Sequence, residues 1–232
     1  MEKDYFAGDD LAWSVWKSKY ATIGETTPQE MHFRLAASLA NAERSEEDRS
    51  RSSLSKFGQE LMKKFQSESH VGEFYYSYLD RFKWIIPQGS IMSMLGTGTI
   101  GSLSNCFVIP SPIDSYGGIF ETDQQVAQIE KRRGGVGLNL NSLRPENTPV
   151  LNAAKTSTGA HSFMDRYSNT TREVAQNGRR GALMLLMSVA HPDIFKFVRK
   201  KKDRSKVTGA NISVQLTDEF MRAVESDSTF TC

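Results

Sequence analysis

Cys106, in the run Ser104-Asn-Cys-Phe-Val-Ile109, is the side chain best suited to chemistry in this sequence. Alternation places Ser104, Cys106 and Val108 on one face of a strand and Phe107 and Ile109 on the other. Downstream, Arg132-Arg-Gly-Gly-Val-Gly137 supplies glycines, which permit a tight turn and close approach of backbone to a ligand. A thiol beside such a turn points to redox chemistry on a small phosphate-bearing or sugar substrate. A free cysteine is also commonly a small buried hydrophobe, so Cys106 alone leaves that plainer reading open.

The elements that must position these residues fall into two textures. Up to residue 86 the pattern is helical. Thr27-Pro-Gln-Glu30 is a capping box with proline at the first helical position, and Met31, Leu35 and Leu39 follow on one face. A second helix is predicted over Leu54, Phe57, Leu61 and Phe65, and a third over Phe74, Tyr78 and Phe82. From Pro87 onward strand, glycine turn and helix alternate. Gly89, Gly96, Gly98 and Gly101 read as a loop that feeds the Cys106 strand. A helix over 119–132 then leads through the glycine turn to a strand at Leu138 and Leu140. Next come a helix over 162–175 ending at Asn177-Gly178, a strand over 182–189 apolar enough to be covered on both faces, and a helix opened by His191-Pro-Asp193. A strand through Ile212, Val214 and Leu216 precedes a last helix capped at Thr217. Thr229 to Cys232 reads as the start of a further strand. This rhythm predicts an α/β fold with largely parallel strands.

Composition narrows the class. The chain has 232 residues, a net charge of +2 and 24% charged residues, so neither nucleic acid nor a membrane is expected as partner. No apolar signal core opens the sequence and no apolar run is long enough to span a bilayer, which predicts a cytoplasmic protein. Two cysteines, Cys106 and Cys232, make no disulfide framework. The four histidines are scattered, and no Cys-x-x-Cys or His/Cys cluster predicts a metal site. The basic run Arg199–Lys206 reads as a solvated helix end and loop. The order helix, turn, strand around Gly134–Gly137 excludes a dinucleotide fingerprint, which needs strand, turn, helix.

Five short elements in order carry more than any one alone: Ser104-Asn-Cys106; Asp114-Ser115 with Ile119; Arg133-Gly-Gly-Val-Gly-Leu-Asn139; Leu143-Arg-Pro145; and Gln176-Asn-Gly-Arg-Arg-Gly181. Their succession resembles the large (alpha) subunit of ribonucleotide reductases, from about Tyr5-Phe-Ala-Gly-Asp9 through Ile212-Ser-Val214. The resemblance implies an N-terminal helical domain over 1–86, then over 87–232 about half of a ten-stranded α/β barrel, incomplete at the C-terminus. It implies an enzyme that replaces the ribonucleotide 2′-hydroxyl by hydrogen through thiyl-radical chemistry.

Carried over by position, Cys106 would be one of two thiols that reduce the ribose and become a disulfide, later exchanged with thioredoxin or glutaredoxin. Ser90, Ser104, Asn105 and Gly135 would lie along the ribonucleotide substrate, with backbone amides at the glycine turn suited to anionic or hydroxyl groups. Ser90 stands where other members carry threonine. Asp114, Ser115 and Arg144 match positions that hold the specificity effector, a dNTP or ATP, the carboxylate accepting from a ribose hydroxyl and the arginine meeting phosphate. Gln176 and Arg180 fall in the loop that carries effector identity to the substrate base, with Asn177 where a second glycine is common.

The radical cysteine and the partner of Cys106 would belong to a C-terminal remainder of the subunit, and Cys232 does not match the partner by position. The chain alone is therefore expected to be inactive. The ATP-binding cone that many members carry is not expected here. No cofactor is expected within the chain; the whole enzyme would use adenosylcobalamin or a metal-radical partner subunit, in an alpha homodimer. Three alternatives stay open: a stand-alone dNTP-binding or regulatory protein, one half of a split enzyme, and a non-functional remnant of a broken gene. Taken without the resemblance, Asp114-Ser115 is equally a helix-initiating turn, and Arg144, Arg179 and Arg180 are equally solvated side chains.

Overall fold

The computed structural model describes residues 5–47, 68–174 and 181–232. The predicted helix at Leu54–Phe65, the segment Asn177-Gly178, and the candidate residues Gln176 and Arg180 lie outside the described residues. Two compact units divide the chain, Met1–Leu103 and Ser104–Cys232; the sequence placed its boundary at 86/87.

In the first unit, α1 spans Asp10–Lys19, α2 Pro28–Glu47 and α3 Glu68–Leu79, the last continued by a 3-10 turn over Asp80–Phe82. The predicted capping box opens α2. Thr27 Oγ1 accepts from Glu30 N at 3.4 Å, and Glu30 Oε2 accepts from Thr27 N at 3.0 Å, which satisfies backbone donors that an α-helix leaves free at its start. Trp16, Met31, Leu35, Leu79 and Met92 form the core. Inside it Tyr5 Oη sits 2.7 Å from His32 Nδ1 and donates to Asp80 Oδ1 at 3.3 Å. Burial pushes His32 down to about 4, so the imidazole is neutral in the folded unit. The glycine-punctuated stretch departs from expectation. Gly89–Met94 is a short helix, α4, and Ser90, Met92 and Met94 are buried along it. Ser90, Met92 and Met94 are each buried, so the short helix is packed on more than one side and burial outweighs Gly89, which reads as a breaker.

The second unit is a four-stranded parallel sheet in sequence order: β1 Cys106–Val108, β2 Gly135–Asn139, β3 Leu183–Ser188 and β4 Ala210–Gln215. Between the strands lie α5 Tyr116–Glu130, α6 Met164–Glu173 and α7 Ile194–Lys200, and α8 Asp218–Glu225 follows β4. The α/β class and parallel pairing agree with the sequence reading. Both outer strands lack a further partner among the described residues.

Register explains how the sheet divides its work. Val136 pairs with Leu183 and Leu183 with Ala210; Leu138 pairs with Leu185 and Leu185 with Ile212. Paired residues share a face, and this face buries against Ile119, Val126, Met164, Tyr167 and Phe197. The opposite face carries Cys106, Gly135, Val108, Gly137 and Met184. Val108 is 91% exposed and Met184 40%. The apolar run of β3 therefore alternates between a covered and an open face, where two covered faces were expected.

Three further differences have local causes. α5 begins three residues before the predicted start because Ser115 caps it, its Oγ accepting from Gly118 N at 3.0 Å. Residues 229–232 form no strand; Phe230 instead meets Phe220 edge-on at 5.2 Å between ring centroids. The basic run is only partly solvated. Lys200 Nζ donates to His161 O at 2.9 Å and pairs with Asp165 at 2.7 Å, and Lys201 Nζ donates to Val207 O and Ala210 O at 2.9 and 2.8 Å.

Candidate functional site

The thiol of Cys106 opens onto solvent at the start of β1. Gly135 is its register partner, and Gly137 is the partner of Val108. Two glycines on the neighbouring strand leave bare backbone beside the sulfur on the open face, so a flat ligand meets no side chain from β2 there. Ser104 is exposed and Asn105 half-buried immediately before the strand.

The glycine turn itself works differently from the expectation that its amides bind a ligand. Gly134 N donates to Ile129 O at 3.1 Å, Gly135 N to Asn105 O at 2.7 Å, and Val136 N to Ala182 O at 2.8 Å. Closing α5 and starting the ladder consume all three donors, which corrects the anion-cradle reading. What the glycines provide is space. A Cβ on Gly134 would stand 2.7 Å from the Phe107 ring and 2.5 Å from Ile129. The bare position lets the Phe107 ring close on the end of α5 and so fixes β1 against β2.

Ser90 belongs to the first unit and is 3% exposed. Its side chain is part of the α4 interior face.

Asp114, Ser115 and Arg144 come together in the second unit. Arg144 Nε donates to Asp114 Oδ2 at 2.7 Å and Arg144 N to Asp114 Oδ1 at 3.2 Å, across thirty residues of sequence. Ser142 Oγ adds a bond to Pro112 O at 2.6 Å. The loop before α5 is thereby tied to the turn after β2. Beside it lies a cavity of about 390 Å³, within the size range of small-molecule sites. Tyr116, Ile119, Leu151 and Phe163 give it apolar walls; Asp114, Arg144, Asn152, Thr156, Ser157 and Thr158 give it donors and acceptors. Tyr116 and Phe163 are edge to face at 6.3 Å between centroids. An arginine, a carboxylate, hydroxyls and two aromatic rings around one hollow suit a ligand with a flat ring, a polyol and negative charge.

Sequence reasoning found Asp114, Ser115 and Arg144 and missed the rest of this wall. Residues 147–159 carry a mixture of Asn, Thr, Ser and Ala with no periodicity, and a loop of that composition has no chemical signature. The signal available was its place directly after Leu143-Arg-Pro145.

Glu130, at the end of α5, is completely buried. Thr171 Oγ1 donates to its Oε1 at 2.9 Å, while Oε2 has no partner among the described residues. Burial, chiefly, raises its carboxyl to about 7, with the charge of Asp123 adding to the rise. Among the described residues no group of three His, Cys, Asp or Glu could hold a metal ion, and no helix is long and apolar enough to cross a membrane.

Residues 104–232 match the family model described as ribonucleotide reductase, barrel domain. This span is the second unit, with Cys106, the paired glycines and the Asp114–Arg144 hollow inside it. The vitamin B12-dependent ribonucleoside-diphosphate reductase of Thermoplasma acidophilum is 37% identical over 158 residues, 65% of this chain and 20% of that protein. The protein of the same description from Mycobacterium tuberculosis is 39% identical over 136 residues, 57% of this chain and 20% of its own length. Large chain 2 of the ribonucleoside-diphosphate reductase of Saccharomyces cerevisiae is 34% identical over 135 residues, 56% of this chain and 16% of its own. The chain thus spans about a fifth of the length of these relatives. With the family model covering more than half of its residues, and a sheet whose order and glycine register the matched span contains entire, the chain belongs to the ribonucleotide reductase large-subunit family.

Proposed function

We propose that this chain is the part of a ribonucleotide reductase alpha subunit that supplies one of the two reducing thiols, Cys106, and the pocket for a dNTP or ATP specificity effector. The observation that carries the reading is the position of Cys106: exposed, on the open face of the sheet, beside the bare backbone of Gly135 and Gly137. A buried sulfur would speak against it.

In the reaction, Cys106 and a second thiol from the rest of the subunit each give up hydrogen and form a disulfide. The two electrons and two protons pass to the ribose, where the C2′–O bond breaks, the oxygen leaves as water and a C2′–H bond forms. The disulfide is then opened by thiol–disulfide exchange with thioredoxin or glutaredoxin. The radical that starts the reaction comes from a cofactor, because amino-acid side chains alone do not reach that chemistry. Two relatives whose names specify vitamin B12 favour adenosylcobalamin over a metal-radical subunit. Ser104 and Asn105 flank the sugar, Gly135 lies under it, and Ser90 is assigned to the substrate by the family resemblance alone. The Asp114–Arg144 hollow takes the effector, and Gln176 and Arg180 read it out to the substrate base in an alpha homodimer.

The test is reconstitution. Mixed with the remaining portion of the Thermoplasma acidophilum subunit, adenosylcobalamin, a ribonucleoside diphosphate and a thioredoxin system, the chain forms deoxyribonucleotide, and neither portion does so alone. A folded, stably associated mixture that makes none contradicts the reading. A stand-alone dNTP-binding regulator is the second reading, favoured by a hollow that joins an arginine, a carboxylate, hydroxyls and aromatic rings with no cysteine in its lining. Tight dTTP binding together with failed reconstitution selects it.

A further inference from the structure

We propose that Asp193 is the positioning residue of the effector pocket, the buckle that fixes the angle of its outer wall. The inference rests on the effector reading of the Asp114–Arg144 hollow and goes beyond it.

Asp193 sits where an N-cap residue of α7 belongs, yet its side chain makes no capping bond. Its carboxylate, 4% exposed, turns away from its own helix. Oδ2 accepts from Ala160 N at 2.8 Å, and Glu146 N donates to both oxygens at 3.1 and 3.2 Å. These two amides bracket the excursion 147–159. The neighbouring His191 extends the grip. Asp193 N donates to His191 Nδ1 at 3.0 Å, which leaves the proton on Nε2 to donate to Leu143 O at 2.9 Å. One short turn after β3 therefore holds the backbone at 143, 146 and 160.

The excursion between those points is stiff. Asn147 N donates to Ser157 O, Ser157 N to Thr148 O and Val150 N to Lys155 O, each at 2.9 Å, and Pro149 bridges Thr156. Such a self-bonded hairpin moves as a lever about its base. Its distal residues Val150, Leu151 and Asn152, with Ser157 and Thr158, form the pocket's outer wall. A carboxylate that sets the base sets the distance between that wall and Arg144. Gly159 is fitted to the same joint: its φ is +83°, and a Cβ there would stand 2.5 Å from Asp193 Oδ2. A charged acceptor shared by two amides is a strong anchor in a buried place, and removing it leaves both donors unpaired.

The experiment uses the 232-residue chain with dTTP as probe, read by calorimetry and by amide hydrogen exchange. Asp193→Ala raises the dTTP Kd at least about tenfold and speeds exchange over 147–159, with β3 protected as in the parent. Asp193→Asn, which keeps one acceptor and guards against a misfolded alanine variant, falls between the two. Lys201→Met is the control for general destabilisation: it loses the bonds to Val207 O and Ala210 O, lowers the melting temperature and leaves the Kd unchanged. Parent-like exchange over 147–159 in both Asp193 variants overturns the buckle whatever the nucleotide does. Faster exchange with parent-like dTTP affinity overturns its role in the pocket and keeps the effector reading. A folded parent chain that gives no heat with dTTP overturns the effector reading and this inference with it.

Discussion

Arg144 meets Asp114 through both its side chain and its backbone, Nε at 2.7 Å and N at 3.2 Å from the two carboxylate oxygens. The sequence assigned these residues separate tasks toward a nucleotide. In the folded unit they first orient one another. The side chains are 38% and 34% exposed, so the pair contributes only about 0–1 kcal/mol to stability. Its value lies in presenting the guanidinium to the hollow in one geometry.

Asp114→Ala should accordingly weaken dTTP binding by about tenfold or more while moving the melting temperature little. Calorimetry beside a thermal scan separates the two. An unchanged Kd in the alanine variant removes Asp114 from the proposed effector site.

Glu130 makes the second unit sensitive to pH. Its carboxyl titrates near 7 when folded against a usual value of 4.5, so between these values the folded state holds the proton more tightly than the unfolded chain. Stability is therefore highest at the acid end of that window and falls as pH rises through 7, by up to about 3 kcal/mol. Glu130→Gln should flatten this slope and be the more stable protein at pH 8. Urea unfolding at pH 5 and 8 measures it; equal slopes in parent and variant contradict the assignment.

Gly134→Ala tests the glycine turn. The added methyl meets the Phe107 ring and Ile129 inside van der Waals distance, and overpacking of this kind costs about 1–3 kcal/mol. Denaturant midpoints report it. A neutral substitution would mean that Phe107 does not close on the end of α5.

Local pattern carried much of the fold. The capping box at Thr27–Glu30, the β-α alternation after Cys106 and the faces of β1 all rest on contacts within a few residues, and those the sequence exposes directly. The site was half legible. Cys106, Asp114 and Arg144 are chemically conspicuous, whereas the pocket wall at 150–158 and the Lys200 and Lys201 clasps depend on partners many residues away. Asp193 shows why such features escape. In sequence it reads as an ordinary helix cap, and only the fold shows its carboxylate serving Glu146 and Ala160 instead. The glycine amides erred for a related reason, since only pairing with Asn105 and Ala182 reveals that their hydrogen bonds are spent.

The most direct measurement is turnover by the reconstituted enzyme carrying Cys106→Ser. Sustained deoxyribonucleotide formation with thioredoxin should vanish while dTTP affinity stays within about twofold of the parent, a difference of less than about 0.5 kcal/mol, because the sulfur stands on a strand and the proposed effector hollow is lined by loops and helix residues without it. Parent-like turnover by the serine variant would show that Cys106 is not the reducing thiol.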